Sequence, residues 1–162
     1  MANLLSGDLS RSVLAVRRGA AVRWAAALSL LAGYLHLTVI VPHFQEWWAY
    51  GVFFLASAAG QILFAALILW RTWPWLPLVA IAGNVAMIGM YVVSRTNGVP
   101  LGPHAGRPEE PGLPDLVATV AELGIIVALV ARLPRAIAGR VVPLLMLGGV
   151  ALWAGRLTGV VL

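Results

Sequence analysis

Five side chains in this sequence are of types that bind metals or move protons and also fall where a site could form: His36, His43, Glu46, His104 and Glu122. Imidazole nitrogen and carboxylate oxygen are the ligands that zinc, copper(II) and non-haem iron take. A copper or zinc ion held by these five is therefore the leading expectation. No HExxH, HxxxH or other spaced metal motif is present, so such a site has to be assembled from separate segments. The same residues suit a second chemistry, in which Glu122 or His36 acts as acid or base on a lipid-phase substrate such as a quinone or isoprenoid. A third reading makes the cluster purely structural, in a non-catalytic subunit of a larger membrane complex. Cysteine is absent, which removes thiolate metal sites, covalently attached haem and iron–sulfur clusters. A haem held by two histidines is poorly served, because only His36 falls inside an apolar run. Met87 and Met90 are soft enough for copper(I), but at helical spacing they read as core.

The elements that must carry these residues are apolar helices. Of 162 residues, 61% are hydrophobic and only 10% charged, and mean hydropathy is +0.92. A soluble domain carries about a quarter charged residues, so the composition selects an all-α, polytopic integral membrane protein. A span needs about 20 mostly apolar residues, and five stretches qualify: about 24–41, 47–70, 75–94, 115–133 and 141–162, in one domain. The first is expected to close at Pro42. Residues 1–18 place Leu5, Leu9 and Val13 at helical spacing, which fits either a surface helix on the inner leaflet or a polar tail. The apolar run that follows is long enough to span and is not a cleaved signal.

Arginine placement orients the bundle. All eleven basic residues are arginine. Arg11, Arg17, Arg18, Arg23, Arg71, Arg132, Arg135 and Arg140 fall on one side, Arg95 and Arg107 on the other, and Arg156 lies inside the last span. The positive-inside rule then puts the N-terminus in the cytoplasm and the C-terminus outside the plasma membrane. Tryptophans at the span ends (Trp24, Trp47, Trp48, Trp70, Trp73, Trp75) suit an interfacial belt. The basic residues are thereby accounted for as anchors, and no nucleic-acid partner is expected; lipid is, with a homo-oligomer or a larger complex as further partners.

Depth singles out a site. His36 lies six residues before Pro42, about 9 Å below the outer end of its helix at 1.5 Å per residue. Glu122 lies seven residues after Asp115, about 10 Å down. Arg156 is at a similar depth in the last span. Ionisable groups inside a span are costly unless paired or hydrated, so Glu122 has two obvious partners, Arg156 in a structural lock or His36 in a shared site. A polar shell completes the picture. Gln61 follows Glu46, Tyr50 and Ser57 along one face, Asn84 shares a face with Met87, Tyr91 and Arg95, and Asp115 shares one with Thr119 and Glu122.

The connection 96–114, TNGVPLGPHAGRPEEPGLP, holds five prolines and four glycines. It cannot continue a helix, and it is expected to form an irregular, ordered outer cap. Taken with Tyr34-Leu35-His36-Leu37, Pro42-His43-Phe44, Glu46-Trp47, Gly51-Val52-Phe53-Phe54, Gln61 and Ser94-Arg95-Thr96, then Asp115 and Glu122, it resembles a family of uncharacterised small bacterial multi-pass membrane proteins. The resemblance covers about residues 24–133. It implies the same fold and the same outer-face residues, and it carries no activity.

Overall fold

In a computed structural model of the chain, residues 2–71 and 73–157 are described, with side chains for 16, 19–71, 73–151 and 154. They form six helices in the order α1 (Ala2–Thr38), α2 (Ile40–Glu46), α3 (Trp48–Trp70), α4 (Leu76–Thr96), α5 (Leu113–Val130) and α6 (Arg135–Leu157). Among the described residues, four segments are long and apolar enough to cross a membrane: Gly19–Thr38, Trp48–Trp70, Leu76–Thr96 and Leu113–Val130. The expected fifth span, 141–162, overlaps α6, which is not among these four; residues 158–162 lie outside the described residues. The N-terminal segment is neither a separate surface helix nor a tail, because α1 runs through it without interruption.

Pro42 acts one turn earlier than expected. It does not close the first helix at Val41; α1 stops at Thr38, and Pro42 stands in the first turn of α2. The reason is local. A proline ring clashes with the carbonyl four residues back, here that of Thr38, and has no N–H to give it. In the first turn of the next helix the missing N–H costs nothing. The chain therefore turns at Val39, whose N–H reaches the His36 carbonyl at 3.3 Å.

Small residues set the packing. Ala25, Ala26, Ala32, Ala58, Ala65, Ala118 and Ala121 are all buried, with Ile125 and Leu129 fully enclosed. Short side chains let helix backbones approach closely, which is how membrane helices gain contact. By this means α1 packs along α3 and α5, and α4 along α5, whereas the consecutive helices α3 and α4 touch at few places. The outward surface is the apolar one: Leu63, Leu69, Val79, Val120 and Val127 are exposed, while Ser29, His36, Gln61, Asn84 and Glu122 are buried. That inversion of the water-soluble pattern suits a bundle surrounded by hydrocarbon.

The 97–112 loop caps one end. It folds on its own backbone, with Gly106 N–H to Val99 O at 3.0 Å and Glu109 N–H to Ser94 O at 2.9 Å. Two glycines make this possible. Gly98 (φ +72°) lies against the Arg107 backbone, and Gly102 (φ +94°) lies under the Tyr50 hydroxyl and the Trp47 ring. Both need a left-handed backbone and room where a Cβ would stand.

Candidate functional site

His36, in the last turn of α1, and Glu122, halfway along α5, meet inside the cap end of the bundle. His36 Nε2 lies 3.1 Å from Glu122 Oε1, and the residues are 6% and 2% exposed. One proton between them satisfies both: either the imidazole N–H donates to a carboxylate, or the carboxylic acid O–H donates to the ring nitrogen. Phe54 of α3 packs against both histidines nearby, its ring centroid 5.8 Å from that of His36 and 4.1 Å from that of His43. His43 turns back on its own helix, its Nδ1–H donating to Val39 O at 2.7 Å. That bond fixes the tautomer and leaves Nε2 as the free ring nitrogen.

The pair sits deep in a partly open cavity of about 460 Å³. The walls are apolar, made by Leu35 and Val39, by Phe53 and Phe54, by Met87 and Met90, and by Ala118. Toward the cap the lining becomes polar, with Tyr50, Tyr91, Ser94, Arg95, Glu109, Glu110 and Asp115. Binding pockets for small molecules are built this way, mostly apolar with a few convergent polar groups.

Arg95 organises the rim. Its Nη1 donates to Glu109 of the cap, and its Nη2 donates to Asp115 Oδ2 at 2.6 Å. Its guanidinium lies 5.3 Å from the Tyr91 ring centroid. The same Asp115 oxygen accepts the Gly112 N–H at 3.2 Å, so one carboxylate caps α5 and anchors α4 to it. Buried Arg95 Nε has no hydrogen-bond partner. Across the cavity the Tyr50 hydroxyl donates to Leu101 O at 2.6 Å and ties the cap to α3.

The five candidate metal ligands do not converge. His36 and Glu122 form the inner pair, and His43 lines the cavity above them. Glu46 and His104 make a separate pair, 3.6 Å apart and partly exposed. Among the described residues, no three His, Asp or Glu side chains stand together as a metal-ligand group. In the polar shell, Tyr91, Arg95 and Asp115 line the cavity. Gln61 and Asn84 do not; Gln61 Nε2 donates to Asn84 Oδ1 at 3.0 Å and Asn84 Nδ2 to Ala80 O at 2.7 Å, one level deeper. The Arg156 side chain lies outside the described residues, and Glu122 has His36 for its partner.

One contributor went unnoticed in the sequence, and another, Phe54, stood there only as part of a motif. Ser29, fully buried, donates its hydroxyl to the Gln61 carbonyl at 2.8 Å and also lies against the Gln61 side-chain oxygen. It stands seven residues before His36, two turns down the same face, and that register was the available signal. Phe54 stands four residues after Tyr50 on the face already marked as polar. Comparison with protein-family models, with curated proteins and with solved structures found no match to this chain, so its reading rests on geometry.

Proposed function

We propose that this chain is a multi-pass protein of a bacterial plasma membrane, with α6 as a fifth crossing, its N-terminus in the cytoplasm and its cap outside. In this reading the outer cavity binds a lipid-phase molecule with a neutral hydrogen-bonding head, a quinone carbonyl or an isoprenoid hydroxyl. The single observation that carries it is the buried His36–Glu122 pair, set deep in an apolar-walled cavity. A group at that depth with one shared proton can donate to a carbonyl or accept from a hydroxyl, the acid–base role such a head requires. Charge favours a neutral head over a phosphate. Arg95 is already taken by Glu109 and Asp115, and Glu110 lines the same rim, so an anion meets more carboxylates than free cations.

A copper or zinc ion on the same pair is the second reading, favoured by ligand type: one imidazole nitrogen and one carboxylate oxygen already share a point. It needs a third ligand, and His43, which lines the same cavity with Nδ1 bonded to Val39 O, offers its Nε2. Native mass spectrometry of untagged protein with decyl-ubiquinone, farnesol and farnesyl phosphate, beside elemental analysis, separates these readings. The expected result is retention of a neutral probe, at least tenfold weaker in His36→Ala and Glu122→Gln protein that remains folded, with farnesyl phosphate bound poorly. Stoichiometric metal lost in both variants favours the ion instead. Equal probe binding in wild type and variants refutes the head-group assignment.

A further inference from the structure

Building on that reading, we propose that the seam between α3 and α4 is a lateral window in the outer half of the bundle, through which the ligand's hydrocarbon tail enters and lies in the bilayer. Of the four long helices that line the cavity, α1 packs against α3 and α5, and α4 against α5, whereas α3 and α4 touch at few places.

Where they do meet defines the window. At its sill the Ser57 hydroxyl, which donates to Phe53 O at 2.8 Å, lies 3.3 Å from Met87 Sδ, and one turn deeper Gln61 is bonded to Asn84 at 3.0 Å. At its lintel the Tyr50 hydroxyl holds Leu101 of the cap. From Ser57 to Tyr50 is a step of seven residues along α3, about 10 Å of height at the helical rise. The jambs are apolar and line the cavity: Ala49 and Phe53 on α3, Met87 and Met90 on α4. Met90 is 38% exposed, and methionine is the side chain best able to shift and refill such a gap.

The cap end is shut by comparison. Arg95 is forked onto Glu109 and Asp115, and Glu109 N–H is bonded to Ser94 O. A route through the cap would break charged hydrogen bonds; a route through the seam displaces only apolar contacts. For a molecule dissolved in the bilayer, the seam is also the side on which it arrives.

The test uses the full chain in phosphatidylcholine vesicles and a ubiquinone analogue whose decyl tail ends in a diazirine. Photolysis is expected to label residues 49–57 and 87–91, with labelling competed by unmodified decyl-ubiquinone. Label confined to the 97–112 cap, or to α1 and α5, overturns the window. A diazirine phospholipid that labels 49–57 and 87–91 when the quinone probe labels nothing overturns the assigned occupant. His36→Ala and Glu122→Gln keep the two readings apart, since tail labelling that persists in both variants supports the window and defeats the head-group site. As a second measure, Ala49→Trp is expected to slow probe loading from vesicles at least tenfold; unchanged loading overturns the window.

Discussion

Ser29, Gln61 and Asn84 link α1, α3 and α4 by side-chain hydrogen bonds, and His36 and Glu122 link α1 and α5 about two turns nearer the cap. Both clusters are buried polar groups in an apolar bundle, so both must be satisfied locally. They differ in how they are closed. The amide chain ends on backbone, at Ala80 O and Gln61 O, contains nothing that titrates, and lies off the cavity. The His36–Glu122 pair is ionisable and opens on about 460 Å³ of space. A polar cluster that hydrogen-bonds back onto its own helices stabilises the bundle. One that faces a cavity retains a bond for something else.

The largest expected effect comes from splitting the open pair. His36→Leu leaves a buried carboxylate without its partner, and Glu122→Leu leaves a buried imidazole. Breaking a buried charged pair typically costs about 3–5 kcal/mol, whereas replacing both members by apolar side chains is often close to neutral. The double variant is therefore expected to melt near the wild type, above either single variant, and to bind no probe. Thermal unfolding in detergent of the four proteins gives the coupling directly. A double variant destabilised by the sum of the two single effects would mean that the two groups act independently, and the distinction between the clusters would fail.

The closed chain should behave oppositely. Gln61→Leu strands the Asn84 carbonyl and leaves the Ser29 hydroxyl on the backbone oxygen of residue 61, at a cost of about 1 kcal/mol by the scale of interhelical hydrogen bonds in membranes. Probe affinity should stay within twofold, because none of the three residues lines the cavity. A large affinity loss with little change in melting temperature would show that the deeper cluster belongs to the site.

The depth of the site was legible in the sequence because helical rise is constant: counting six residues from Pro42 and seven from Asp115 put His36 and Glu122 at one level. The partner of Glu122 was open between His36 and Arg156, since rise gives height but not azimuth between helices far apart in sequence. Glu46 and His104 were grouped with the inner pair because the path of a loop rich in Pro and Gly cannot be read from periodicity. Its turns depend on Gly98 and Gly102 at positive φ against specific neighbours. Ser29 was passed over as a small residue in an alanine-rich run, although its register with His36 was visible. The helix break at Thr38 follows from Pro42 once the ring is set against the carbonyl four residues back, rather than against the position of the proline itself.

The smallest effects lie at the rim, where the two carboxylates on Arg95 should prove unequal. The Arg95 side chain is 15% exposed, Asp115 30% and Glu109 43%. Exposed ion pairs are worth little, commonly under about 1 kcal/mol, because water competes and salt screens. Glu109 has only the arginine, and it sits on a loop that the Glu109 N–H to Ser94 O bond already holds. Asp115 has Arg95 and the Gly112 N–H on the same oxygen, so it also closes the first turn of α5, where a negative charge suits the helix N-terminus. Asp115→Asn is therefore expected to destabilise by about 0.5 kcal/mol. Glu109→Gln should lie near the limit of measurement. Raising the salt concentration should shrink the difference, since the charge on Asp115 is what the asparagine lacks. Cap proteolysis at residues 97–112 gives the local readout: faster cutting in the Asp115 variant than in the Glu109 variant is the expected order. The reverse order would locate the latch in the loop carboxylate, and the rim would then be held from the cap rather than from α5.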